Sequence, residues 1–414
     1  MSAAAPRPVQ DRVFDVAIVG GGLVGASLGL ALESTGLSTA LIESVQPDAA
    51  AQPSFDDRTT ALGNGTRRIF EALGVWPTIA PRAAPIREIH VSDAGHFGFA
   101  RLQADQQGVD AFGYVVTNRD LGAALNARLG QCMRVTRLVP ATAVAVRLGA
   151  DSVEIDLRVP EPTTLRARLA VAADGAHSLV RAAAQLPAEI EDYDQVAIVA
   201  HVQASQPQDG TAYERFTASG PLAVLPLQGG GYGVVWTLAP AAAAAAMAWP
   251  DATYLQNLQE CFGWRVGRLL QVGKRAAYPL KLTRAADVIG SRSVLIGNAA
   301  QSLHPVAGQG FNLGLRDAAT LAEILARAAG SDVGRPDLLA EFARGRAADR
   351  QGVIRFTDGL VKLFGDPRPG VPTLRNLGLL LFDLSPTAKA ALSRVSWGFS
   401  GRVPRLARGL DLGP

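Results

Sequence analysis

GNAAQSLHPVAGQGFNLGLRD, running from Gly297 to Asp317, is the stretch that decides how this chain is read. A short apolar run, Val294-Leu295-Ile296, precedes it and predicts a buried strand. Inside it, Ala307-Gly308-Gln309-Gly310 is a loop that bulky side chains do not follow easily. Beyond the loop, Leu315, Ala318, Ala319, Ala322, Leu325, Ala326 and Ala329 recur at the spacing of one helix face. Asn312 suits the start of that helix as its cap. The order is therefore strand, glycine loop, helix N-terminus. Such an end carries unpaired N–H groups and a partial positive charge, so it favours an anion or an electron-rich ring laid against it.

Working outward, the beginning of the chain supplies a second turn of the same kind. Val13 to Val19 is almost continuously apolar, as a central parallel strand requires. Gly20-Gly21-Gly22-Leu23-Val24-Gly25 follows at once. Gly20 permits the tight turn, Gly22 lets backbone approach a pyrophosphate, and Gly25 lets the helix pack on the strand. Thr39 to Ile42 predicts the next strand, with Glu43 at its tip, placed to hold the ribose hydroxyls of a dinucleotide. This early motif alone does not separate FAD from NAD.

The late stretch does. It resembles the second FAD motif of the flavin-dependent aromatic hydroxylases, and most closely their ubiquinone-biosynthesis branch, which includes hydroxylases of 2-polyprenyl-6-methoxyphenol. The resemblance implies cofactor contacts at Asn298, Pro305, Gly308, Gly310, Phe311 and Asn312. Most of the wider family has aspartate where this chain has Asn298, and the asparagine looks like a marker of the branch. Asp174-Gly175-Ala176-His177-Ser178 through Arg181 is similar to the family's Asp-Gly motif and adds Asp174. By the same resemblance Arg58 reaches the cofactor phosphates and Arg119 lies beside the flavin. An ordinary surface arginine at 58 and a helix-start arginine paired with Asp120 are the plainer readings. His304, just before the flavin loop, is the candidate catalytic residue. His90 and His96, on a hairpin predicted from Ile86 to Ala100 around Asp93-Ala94-Gly95, read more simply as structural. Phe216, Leu225 and Trp236, on predicted strands, are candidates for an apolar pocket wall, with ordinary sheet core as the plainer reading of each.

The fold class expected is α/β. It comprises a glutathione-reductase-like Rossmann FAD domain (1–84, 113–186 and 285–330), an antiparallel-sheet substrate domain (85–112 and 187–284) and a helical C-terminal region (331–414). Predicted elements include strands at Ala141–Arg147, Val153–Val159 and Leu165–Val171, and a helix from Leu255 to Leu270. The function implied is an FAD monooxygenase. NAD(P)H reduces FAD, O2 adds at the flavin C4a, and the hydroperoxide hydroxylates an electron-rich polyprenylated phenol. A hydroxylase of a small soluble aromatic, a related prenyl-chain reductase and a non-catalytic FAD-binding subunit of a quinone-biosynthesis complex stay open as alternatives.

Composition narrows the remaining classes. With 414 residues and 48% hydrophobic content the chain can build a sizeable core of two or three domains. A net charge of +3 gives no reason to expect nucleic acid. Cys132 and Cys261 have no metal spacing and read as free thiols, and the histidines form no metal motif. No signal peptide or bilayer-spanning run is legible, so the expectation is a cytoplasmic protein. Lys389, Arg394, Arg402, Arg405 and Arg408, with Trp397 and Phe399 among them, make the tail a candidate for docking peripherally on the inner face of a membrane or on a quinone-biosynthesis complex, and a solvated helix docked on the protein itself is the plainer reading.

Overall fold

The computed structural model describes residues 12–49, 52–366, 368–396 and 403–413. Its first layer is an eight-stranded sheet. Five of its strands run parallel, in the order Ser293–Leu295, Thr163–Ala172, Val13–Val19, Thr39–Ile42, Val135–Leu138. The apolar run at Val13–Val19 takes the middle, and Phe14, Val16, Ala17 and Ile18 are fully buried there. Val135–Leu138 was not expected; its sequence, VTRL, is too short and polar to declare a strand. Thr142–Leu148 and Val153–Arg158 form an antiparallel arm on Thr163–Ala172, close to the predicted trio. Helices Leu23–Glu33 and Gln309–Arg327 pack on this sheet, and both contribute to its apolar core.

The second layer is a nine-stranded sheet that includes Ala276–Ala285, Ala188–Ala204, Tyr232–Leu238, Gly220–Pro226, Thr211–Thr217, Glu88–Asp93 and Phe99–Gln103, in that order. A two-residue strand, Gln301–Ser302, pairs with Ala276–Ala285 and joins the sheet to the late glycine loop. Helices Pro240–Ala248 and Asp251–Phe262 cover one face, over Ile198, Leu222, Val234 and Trp236. A small sheet of Thr59–Gly63, Gly113–Thr117 and Ala84–Ile86 lies alongside.

Three expectations are corrected. The helix from Leu255 to Leu270 is instead Asp251–Phe262 followed by the strand Leu269–Val272, because Gly263 and Gly267 adopt positive φ of 89° and 75° and turn the chain. Ile86, expected on the hairpin of His90, belongs to the small sheet, and the chain changes sheets at Arg87. Asn312 does not cap the late helix. Gly308, at φ 59°, is the cap, and Asn312 lies one turn inside. From there its amide donates to the carbonyls of Ala61 and Gly308 and accepts from Gly63 N–H and the Thr66 hydroxyl.

The C-terminal region is helical, as expected: Pro336–Gly365, Val371–Asp383 and Pro386–Ser396. Trp397, Phe399 and Arg402 lie outside the described residues, as does the side chain of Arg394. Lys389 is half of an ion pair with Asp383, so it is not a free cation.

Candidate active site

A cavity of about 760 Å³ lies where the carboxyl ends of the parallel strands meet the second sheet. Open α/β sheets bind ligands at this edge. Of the sequence-derived residues, Gly20, Gly22, Glu43, Arg58 and Asp174 line it from the early half, and Asn298, Pro305, Gly310 and Phe311 from the late half. The two glycine turns, far apart in sequence, thus face one space.

The early turn is built around backbone. Gly20 has φ 103°, and a Cβ there would fall 2.4 Å from the Ala173 carbonyl oxygen. Gly25 does not reach the cavity; its Cβ would meet the Gly20 carbonyl oxygen at 1.9 Å, so its role is close packing of helix on turn. Glu43 accepts hydrogen bonds from Gly21 N–H at 2.7 Å and Val45 N–H at 2.9 Å, which fixes the acid at the strand tip. Asp174 accepts from Leu179 N–H at 2.8 Å through Oδ2. Its Oδ1 is buried with no partner among the described residues, and burial pushes the carboxyl above its ordinary range. An acceptor so placed needs a hydroxyl or N–H from a bound molecule.

Arg58 is held at the cavity by Asp56 and lies 4.7 Å from the centre of the Tyr278 ring. Arg119 is not brought to the cavity. Its side chain is 64% exposed and pairs with Asp57 at 2.9 Å, while Asp120, its expected partner in the plainer reading, pairs with Arg82. Gly308 and Asn312 also stay off the wall; they shape the loop that presents Gly310 and Phe311.

His304 is buried and its Nδ1 accepts from Val306 N–H at 3.2 Å. Its ring stands edge-on to Tyr193, 5.2 Å between centres. Desolvation pushes its pKa down to about 4, so the imidazole is neutral at pH 7. Leu303 and Pro305 on either side line the cavity, and His304 does not.

The roof is the second sheet. Ala197, Val199, Val235, Tyr278 and Leu280 present their side chains to the cavity. Because successive strand residues alternate faces, Trp236 must point the other way, and it packs there with Trp249 and Tyr254. It is therefore removed from the expected pocket wall. Register carries the roof further. Val199 pairs with Val235, Val235 with Ala223, and Ala223 with Glu214, so all four share one face. Phe216, two residues on, stacks on Phe364 with ring centres 3.5 Å apart. Leu225 joins an apolar cluster with Ala61 and Phe382. Neither lines the cavity itself.

Glu214 is the residue that sequence reasoning passed over. It does not line the cavity itself but sits on the same face of the sheet, with Oε1 sealed from solvent and unpartnered among the described residues. Burial pushes its pKa up to about 7, against the Ala307 backbone N–H that donates to it. Ala307 itself holds φ 58° in the loop before the late helix. An acid at an inward strand position was the signal available in the sequence.

No group of side chains among the described residues could hold a metal ion, and both cysteines are free. A family model described as an FAD binding domain matches residues 13–357. Ubiquinone hydroxylase UbiL of Rhodospirillum rubrum is 37% identical over 408 residues, covering 97% of this chain and 94% of that protein. The 3-demethoxyubiquinol 3-hydroxylase of Escherichia coli is 30% identical, covering 94% of this chain and all of its own length (100%). Among solved structures, p-nitrophenol 4-monooxygenase PnpA from Pseudomonas putida aligns with a TM-score of 0.78 at 19% identity, over 94% of this chain and 99% of that one, a likeness of fold.

Proposed function

Since the chain belongs to the FAD-binding family of ubiquinone-biosynthesis hydroxylases, we propose that it hydroxylates a polyprenylated phenol, with 2-polyprenyl-6-methoxyphenol as its substrate. The chain is an FAD-dependent monooxygenase. The observation that carries the site assignment is the shared cavity of the early and late glycine turns. When bound, FAD accepts a hydride from NAD(P)H and activates O2, one atom of which enters the phenol ring while the other leaves as water.

In this reading the chain's residues bind, orient and exclude water. The N-terminus of Leu23–Glu33 and the Gly20–Gly22 turn receive the pyrophosphate. Glu43 meets the ribose, and Arg58 answers the phosphate charge. Asp174 Oδ1 meets a hydroxyl or N–H of the cofactor, and Asn298, Pro305, Gly310 and Phe311 bound its ring end. The apolar roof of Val199, Val235 and Leu280 keeps water from the reacting edge. Gly20→Ala is expected to weaken FAD binding about 5- to 30-fold, because positive φ alone costs about 1–2 kcal/mol at a residue with a Cβ. Flavin fluorescence titration of the refolded apoprotein measures it, and unchanged affinity would remove the phosphate-turn assignment.

The two sheets with their separate apolar cores support the proposed division into an FAD domain, a substrate domain and a helical C-terminal region. A substrate this apolar resides in a bilayer, and no described helix is long and apolar enough to cross one. Docking on the membrane surface would bring the chain to that substrate, and the exposed Leu374, Leu377, Leu381 and Leu384 on and just after Val371–Asp383 support this reading.

Lipid extraction from a strain lacking this chain tests the substrate. The proposal expects 2-polyprenyl-6-methoxyphenol to accumulate; a normal quinone pool without phenolic intermediates would exclude it. The names of the relatives, a ubiquinone hydroxylase and a 3-demethoxyubiquinol 3-hydroxylase, favour a second reading in which the ring is already more substituted, and accumulation of that later precursor would select it.

A further inference from the structure

A second, smaller pocket of about 190 Å³ opens on the opposite face of the nine-stranded sheet. Register fixes the side. Arg215 pairs with Leu222 and Leu222 with Trp236, so Arg215 shares the face of Trp236 and not that of Glu214. Helices Pro240–Ala248 and Asp251–Phe262 cover this face over the central strands. Towards Glu88–Asp93 the cover ends and the pocket begins.

Three guanidinium groups line it: Arg101, Arg215 and Arg265. Arg215 donates to the Cys261 carbonyl at 2.9 Å and weakly to the Ser92 hydroxyl at 3.4 Å. Arg265 donates to the Phe262 carbonyl at 3.2 Å, and Arg101 lies over the Phe99 ring. None of the three guanidinium groups forms an ion pair among the described residues; the nearby Asp383 takes the Arg101 backbone N–H at 2.8 Å and is itself paired with Lys389. Asp93, the acid in the pocket, is already engaged by Arg375, Asn376 and His96. His90 completes the wall: it is 7% exposed, and its Nδ1 is buried without a partner among the described residues. Burial, with Arg265, Arg101 and Arg215 facing it, pushes its pKa down to about 4, so the neutral ring keeps one N–H to donate. Phe97 on the pocket and Trp264 beside Arg265 are both exposed.

Converging guanidinium groups repel one another unless an anion lies between them, and their planar forks match phosphate oxygens. We propose that this pocket binds a phosphate group carried on an apolar body, held by Arg101, Arg215, Arg265 and His90 and flanked by Phe97. The chemistry is shared by a lipid headgroup and by a soluble phosphate ester. The site is independent of the cofactor cavity, and its failure would leave the monooxygenase reading untouched.

The test uses the full-length holoenzyme with its histidines isotopically labelled, the His90 ring signal being assigned by its loss in His90→Gln. Inorganic phosphate is titrated at constant ionic strength against chloride, and cosedimentation is measured with phosphatidylglycerol vesicles and with phosphatidylcholine vesicles. A saturable His90 shift, weakened at least tenfold in Arg101→Gln/Arg265→Gln, supports the site. If cosedimentation with phosphatidylglycerol is also lost in that variant, the source is a headgroup; if vesicles never bind, it is a soluble ester. Both substitutions are at the surface, and retained flavin absorbance checks the fold. No shift beyond that of chloride, or an equal shift in the double variant, overturns the proposal.

Discussion

Replacing Glu214 with glutamine is expected to slow hydroxylation about 10²-fold at neutral pH while leaving flavin reduction by NAD(P)H close to normal. A phenol attacks an electrophilic oxygen faster as its oxyanion, and a positioned base contributes roughly 10²–10⁴-fold to such a proton transfer. Glu214 is the acid on the roof face that would supply it, beyond the residues that line the cavity. It shares the roof face with Val199 and Val235, two strands from the latter, which is about 10 Å at ordinary strand spacing. One oxygen holds the Ala307 N–H and the other has no partner among the described residues. Glutamine keeps an acceptor for Ala307 and removes the base.

The pH dependence fixes the sign. With a pKa of about 7, the carboxylate is the minor form below neutrality, so the hydroxylation rate of the parent enzyme rises with pH through about 7. In Glu214→Gln that limb should vanish. Stability moves the opposite way. An unfolded glutamate ionises near 4.5 and the folded one near 7, so the folded protein loses stability as pH rises between those values, and the variant should not. Stopped-flow product formation with a 2-alkyl phenol, beside urea unfolding from pH 4.5 to 7.5, measures both. Parallel rate profiles for the two proteins would reject the assignment.

How much of this was legible in advance depends on where each requirement is stored. The glycine turns were readable because backbone demands are local: a position needing φ 103° beside a neighbouring carbonyl declares itself as Gly20. The acid at a strand tip and the alternation of Tyr232–Leu238 are local too. Alternation names two faces but not which one meets the cofactor, so Trp236 and Val235 could be exchanged until Asp251–Phe262 was seen to cover one side. Arg119 was ambiguous for a related reason. Two acids, Asp57 and Asp120, compete for it, and the fold decides by handing Asp120 to Arg82. The late helix was readable, but its cap was not. Asn312 has a capping side chain and spends it on Gly63, Thr66 and Ala61 across the small sheet.

The charges beneath that helix were not legible at all, and they give the largest stability effect. Arg346, on Pro336–Gly365, is almost fully buried and meets Asp317 at 2.7 Å. It also approaches Asp349 at 2.6 Å, off hydrogen-bond geometry, and Asp349 takes Arg316 at 2.8 Å. Burial works against ionised Asp349, yet Arg316 and Arg346 hold its carboxyl below the ordinary range. Asp317 also accepts from Gln301, the residue at the root of the late loop. Arg346→Ala strips buried Asp317 of its direct ion pair and leaves it the Gln301 amide and the more distant charge of Arg350, and breaking a buried pair from one side costs about 3–5 kcal/mol. Asp317→Asn/Arg346→Met removes both charges and should recover more than half of that loss, since Asp349 keeps Arg316. The same network anchors the loop that carries Gly310, so flavin release in urea should precede unfolding in Arg346→Ala and coincide with it in the double variant. A loss below about 1 kcal/mol in Arg346→Ala would mean that water reaches the cluster and that these charges do not hold the cofactor loop in place.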